Sequence, residues 1–125
     1  MLIYLVEDDQ SILELEEYAL QAQGFETQGF GEGESFFAAC SQRLPDLVIL
    51  DVMLPSEDGF SILKKLRRTP GAETLPAVMV TARTAELDVV KGLDQGADDY
   101  ISKPLGVLEF VSRVKAVLRR ADKAP

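Results

Sequence analysis

Carboxylates, a hydroxyl and an ammonium recur along this chain, each at the end of a short apolar run. Glu7, Asp8 and Asp9 follow Leu2–Val6, Asp51 follows Leu47–Leu50, Thr81 closes the run from Ala77, and Lys103 comes just after Tyr100 and Ile101. Carboxylates crowded together repel one another, so they raise their pKa values or bind a cation. Oxygen donors without His or Cys suit Mg²⁺, which prefers hard ligands and keeps some of its waters. An ion beside Asp51 would neutralise charge that an incoming phosphoryl group must approach. Lys103 would hold one phosphoryl oxygen as a point charge, and the Thr81 hydroxyl could donate to another. Catalysis of aspartyl phosphate formation is mostly positioning and charge stabilisation. The set reads as a phosphoryl-acceptor site.

Each residue alone has a plainer role. Asp8 or Asp9 could cap the following helix, Asp51 could be a turn residue, and Thr81 could cap the helix after it. Asp9 is expected to be a simple cap and is left out of the core site. Four residue kinds at four successive strand ends outweigh these separate explanations.

Something must bring the strand ends together. Five apolar runs alternate with stretches of helical period: Leu2–Val6, then Ile12, Leu15, Ala19 and Ala22 up to Gly24; a more polar run from Phe25 to Phe30, then residues 32–42. Leu47–Leu50 is followed by Ile62, Leu63 and Leu66; Ala77–Val80 by Leu87, Val90 and Leu93 up to Gly96; and Tyr100–Ile101 by Leu108, Val111, Val114 and Leu118. Such β–α alternation predicts a doubly wound α/β domain, a parallel sheet covered by helices on both faces. The polar run from Phe25 suits an edge strand. Ligands in such folds bind outside the carboxyl ends of the strands, where the chemical residues fall.

At 125 residues the chain fits one domain, and its single cysteine and absence of histidine rule out a thiolate or imidazole zinc site and suit a reducing, cytoplasmic setting. No apolar run approaches a membrane span. The net charge is −8, with nine Asp and Glu and no Lys or Arg in residues 1–42. That gives no electrostatic footprint for nucleic acid, so any DNA contact is expected outside this domain. The stretch from Glu109 to Lys123 is basic by contrast. Residues 1–120 are expected to form the domain and 121–125 to begin a linker, which suits a fragment of a longer regulator.

Across nearly its full length the sequence resembles the receiver domains of bacterial response regulators. The resemblance rests on Val6-Glu7-Asp8-Asp9, the run from Leu47 through Asp51 to Pro55, Asp58-Gly59, Val80-Thr81-Ala82-Arg83, and the run from Gly96 through Tyr100 to Lys103-Pro104. It implies a five-stranded sheet of order 2-1-3-4-5 with five helices. It also implies that Asp51 takes a phosphoryl group from a sensor histidine kinase, with no catalysis beyond the domain's own phosphorylation and dephosphorylation. Glu7 and Asp8 would form the acidic pocket; Asp8, Asp51 and the Met53 backbone carbonyl would bind Mg²⁺. Thr81 and Tyr100 would be the switch pair beside Lys103, and the peptide bond before Pro104 would be cis.

The segment from Gly96 to Tyr100 and the Arg119-Arg120 pair are most similar to the winged-helix transcription factor subfamily, of OmpR/PhoB type. That likeness implies a homodimer, formed on phosphorylation through the fourth helix, fifth strand and fifth helix. Val90, Leu93 and Val111 would be its apolar centre, or else inward-facing core; Asp98, Asp99, Glu109, Arg113 and Arg120 would form its ionic rim. Val89 and Gln95 depart from the usual basic and acidic residues there. A flavin mononucleotide carrier of the same architecture would need a Ser/Thr/Gly-rich phosphate loop where this chain has three carboxylates. A binding module that works without phosphorylation is the other alternative.

Overall fold

Continuous apolar quartets and quintets suit strands buried on both faces, and the chain builds its centre from them. In the computed structural model, which describes residues 1–122, β1 (Leu2–Val6), β3 (Leu47–Leu50) and β4 (Ala77–Thr81) are buried along their whole length. β2 (Glu26–Phe30) and β5 (Asp99–Ser102) are more polar and lie at the edges of a parallel sheet of order β2-β1-β3-β4-β5.

Between the strands run α1 (Gln10–Gln21), α2 (Gly33–Gln42), α3 (Gly59–Arg67), α4 (Glu86–Asp94) and, after β5, α5 (Val107–Asp122). Asp9 caps α1 by accepting from the Ile12 amide at 3.1 Å, and Asp58 caps α3 through Ser61 at 2.9 Å. Gly96 ends α4 with a φ of 101°, a conformation that disfavours side chains. The helix α5 continues through Ala121 and Asp122, so these two are helical rather than linker; the rest of the expected linker, with Lys123, lies outside the described residues.

Side-chain alternation along the strands divides the core in two. Tyr4, Val6, Val48, Leu50 and Met79 pack with Phe36 of α2 and Phe60, Ile62 and Leu63 of α3. Ile3, Leu5, Leu47, Ile49, Val78, Val80 and Ile101 pack with Leu13 and Leu20 of α1 and Phe110 and Val114 of α5. Every side chain of the site inherits one of these two faces.

The inward stripe of α1 differs from the one the spacing of Ile12, Leu15, Ala19 and Ala22 suggests. Leu13, Glu16, Ala19 and Leu20 are buried, while Leu15 and Ala22 are exposed. Glu16 at the middle of the true stripe breaks its apolar pattern, so the eye is drawn to the neighbouring one. Leu87 and Leu108 are also exposed, on the outer surfaces of α4 and α5.

Candidate phosphoryl-acceptor site

Strand register sets up the site before any side chain is considered. Val6 pairs with Leu50, so Glu7 and Asp51 stand level at the ends of adjacent strands, and the Asp51 amide donates to the Val6 carbonyl at 3.1 Å. Thr81 pairs with Ser102, and the Lys103 amide donates to the Thr81 carbonyl at 3.0 Å. Continuing the alternation, Glu7 follows Ile3 and Leu5, Asp51 follows Leu47 and Ile49, and Lys103 follows Ile101. All three therefore project on the α1–α5 face. Thr81, in phase with Ala77 and Met79, and Tyr100 take the other.

The three same-face residues meet. Lys103 Nζ lies 2.6 Å from Glu7 Oε1 and 2.9 Å from Asp51 Oδ2. Asp51 is only 4% exposed, and its Oδ1 accepts from the Met53 amide at 3.1 Å. Burial pushes the Glu7 carboxyl above the ordinary range, with Lys103 partly offsetting it. Burial pulls the Lys103 ammonium down, but its hydrogen bonds to Glu7 and Asp51 more than compensate, and it stays charged. The peptide bond between Lys103 and Pro104 is cis.

Glu7, Asp8 and Asp51 each offer a carboxylate oxygen, and these lie within 4.8 Å of one another. Asp8 is exposed, which leaves the cluster open to an ion from solvent. This all-oxygen donor set fits a hard divalent cation such as Mg²⁺.

Thr81 is fully buried, and its Oγ1 accepts from the Arg83 amide at 3.2 Å, which leaves the hydroxyl proton free to donate. The Tyr100 hydroxyl donates to the Arg83 carbonyl, so both switch candidates hold the same residue. Arg83 itself turns to Asp88, at 2.8 Å. Gly92 of α4 makes room for the tyrosine: a methyl group there would come within 2.9 Å of the Tyr100 ring.

Two further residues shape the site without having been singled out for it. Gly59 packs against the Asp51 backbone, where a Cβ would fall 2.1 Å from the Asp51 carbonyl oxygen. Only its place in the Asp58-Gly59 pair pointed to it. Glu16 brings a buried carboxyl to the α1–α5 face; a lone acid at the core position between Leu13 and Leu20 was the available signal.

A family model of the response regulator receiver domain matches residues 3–115. The chain belongs to this family. Curated relatives include the phosphate regulon transcriptional regulatory protein PhoB of Rhizobium meliloti, 45% identical over 95% of this chain and 52% of that protein. The DNA-binding response regulator MtrA of Mycobacterium tuberculosis is also 45% identical, over 98% of this chain and 53% of its own length. The receiver thus spans about half the length of the curated relatives it matches. A solved two-component response regulator from Clostridium difficile superposes with a TM-score of 0.91 at 26% identity, covering 98% of this chain and 99% of that one. The relatives bear out the likeness to OmpR/PhoB-type regulators, and the strand order is the one the resemblance implied.

The expected dimer face is partly exposed in this receiver. Val90 and Leu93 are 45% and 46% exposed on α4. Val111 is only 9% exposed and packs in the α5 core, which corrects its placement at the centre of the face. The rim charges are paired within the chain: Arg113 with Asp99 at 3.3 Å and with Glu109 at 3.8 Å, and Asp98 with Arg67 at 3.7 Å. Arg120 donates to the Asp98 carbonyl at 3.4 Å. The Gln95 side-chain oxygen is buried with no hydrogen-bond partner among the described residues. No helix among the described residues is long and apolar enough to cross a membrane.

Proposed function

We propose that this receiver is a phosphorylation switch whose acceptor is Asp51, supplied by a sensor histidine kinase. The observation that carries the reading is the Glu7–Lys103–Asp51 triad, a buried carboxylate held level with a second one by an ammonium in contact with both. An Asp51 oxygen attacks phosphorus, the bond from phosphorus to the donor nitrogen breaks, and the phosphoryl group stays on the carboxylate. The donor imidazole retains the bonding electron pair and takes a proton from solvent. Lys103 would follow the developing charge onto a phosphoryl oxygen, and the Thr81 hydroxyl would turn to donate to another.

Asp8, Asp51 and the Met53 backbone carbonyl would hold Mg²⁺, with Glu7 completing the acidic pocket; the ion, when bound, would screen the carboxylates from the incoming anion. Residues 1–120 act as the receiver unit. Output through DNA would require a further domain, as the lengths of PhoB and MtrA suggest for this type. Treatment with acetyl phosphate, borohydride reduction and peptide mapping is expected to find homoserine at position 51. Homoserine elsewhere would refute the assignment.

The switch runs from Thr81 through the Arg83 backbone to Tyr100. If Thr81 turns to a phosphoryl oxygen, it gives up the Arg83 amide, and the loop that also anchors the Tyr100 hydroxyl is freed to move. Phosphate can only bias states the receiver already samples. Its target is the face formed by α4, β5 and α5, where Val90 and Leu93 form an apolar patch and Asp98, Asp99, Glu109, Arg113 and Arg120 exchange intrachain partners for those of a second copy. With Val111 in the core and Val89 in place of a base, the dimer is expected to be weak. Leu93→Asp is expected to abolish the phosphorylation-dependent dimer in sedimentation velocity; an unchanged dimer would remove this face from the account.

A further inference from the structure

Helix α1 buries an acid where its neighbours on the stripe are apolar. Glu16 is 1% exposed, and neither of its carboxyl oxygens has a hydrogen-bond partner among the described residues. A buried carboxylate with no partner favours its neutral form. Burial first, and then the charge of Glu7, push the Glu16 carboxyl up to about 8; Lys103 opposes this, and Asp51 and Glu17 add to it.

The alternation of the strands explains why the functional triad is what Glu16 feels. Glu7, Asp51 and Lys103 project on the face that α1 covers, in phase with the core residues Leu5, Ile49 and Ile101. The other charged groups around α1 are engaged elsewhere. Glu17 accepts from Thr27 of β2 at 3.0 Å, Lys115 of α5 donates to Gln23 beyond the far end of α1 at 2.6 Å, and Asp8 and Glu14 are exposed to solvent.

We propose that Glu16 is a proton-carrying partner of the acceptor site, a buried acid that keeps its proton while Glu7 and Asp51 outnumber Lys103 and releases it when positive charge arrives. The part concerning a cation rests on the Mg²⁺ reading above. The triad presents two negative charges against one positive. A divalent cation reverses that balance, the ionised form of Glu16 becomes favourable, and one proton passes from its carboxyl to bulk buffer. A phosphoryl group, adding negative charge, tightens the proton instead. Linkage is reciprocal, so ionising Glu16 strengthens cation binding by the same factor. Mg²⁺ affinity therefore rises with pH around the Glu16 midpoint, and the receiver's readiness for phosphorylation follows pH.

The test is a carbon-13 NMR titration of the Glu16 carboxyl, identified by the loss of its signal in Glu16→Gln. Metal-free wild type is expected to show a midpoint near 8. Asp51→Asn, which removes one facing charge, is expected to lower it, and Mg²⁺ to lower it in wild type. A midpoint in the ordinary carboxylate range, or one unmoved by Asp51→Asn, would overturn the proposal. A midpoint that moves in Asp51→Asn but not with Mg²⁺ would uphold the coupling between Glu16 and the triad and sink the metal reading alone.

Discussion

Glu16→Leu is expected to melt well above the parent chain at pH 7 and to lose most of that advantage in acid. The folded state holds the Glu16 carboxyl at about 8, whereas its unperturbed value is 4.5. A raised carboxyl contributes no destabilisation below the unfolded value. As pH rises from 4.5 towards 8, the unfolded chain ionises freely while the folded one cannot, and stability falls by about 1.4 kcal/mol per pH unit. At pH 7 the loss is on the order of 3 kcal/mol. Leucine removes it and fills a stripe shared with Leu13, Ala19 and Leu20 at nearly conserved volume. For a domain of this size the gain is on the order of 10 °C in melting temperature. At pH 4 only the cost of an unpartnered neutral carboxyl remains, about 1 kcal/mol. Thermal unfolding followed by circular dichroism across this range checks both parts; equal melting curves at pH 7 would show that Glu16 finds a partner or solvent.

Lys103→Met is expected to act in the opposite direction and at the site itself. The ammonium is the shared counter-ion of two buried carboxylates, and removing one member of a buried ion pair typically costs about 3–5 kcal/mol. Part of that is recovered because Glu7, already raised by burial, loses the hydrogen bond that held it down and protonates more readily. Its folded value then lies further above the unfolded one. The variant should therefore be most stable in acid and lose stability as pH rises through that folded value. Phosphoryl labelling by acetyl phosphate should slow by about 100-fold or more, since a charged group aimed at the transferring oxygens is lost. Added Mg²⁺ should raise its melting temperature more than that of wild type, because the cation replaces the missing positive charge. Wild-type labelling in a folded Lys103→Met protein would remove the lysine from the phosphoryl-binding role.

The site was legible because the residues with chemistry sit where apolar runs end, and strands buried on both faces leave unmistakable runs. Leu47–Leu50, short, bounded by Pro45 and set in a β–α alternation, reads as a central strand with Asp51 at its end. The polar pattern from Phe25 to Phe30 likewise placed β2 at an edge. The contacts Lys103 makes with Glu7 and Asp51 were not readable, since they depend on register between strands distant in sequence.

Helix faces were harder. The α1 stripe was masked by Glu16, an acid in a core position, so periodicity favoured Ile12 and Leu15. Val111, Leu87 and Leu108 all fit an apolar helical period, yet only Val111 faces inward. A helix that contacts its sheet on one side cannot bury every apolar residue, and sequence period alone does not say which row wins. The double duty of the Arg83 backbone, holding both Thr81 and Tyr100, has no sequence signature at all.

Intact mass after incubation with acetyl phosphate, with and without Mg²⁺, on wild type and Asp51→Asn, tests the central claim most directly. One added phosphoryl group in wild type, lost without Mg²⁺ and absent from Asp51→Asn, is the predicted result. No adduct on folded wild-type protein, or an equal adduct on Asp51→Asn, would contradict it and turn the reading to a receiver fold that works by binding alone.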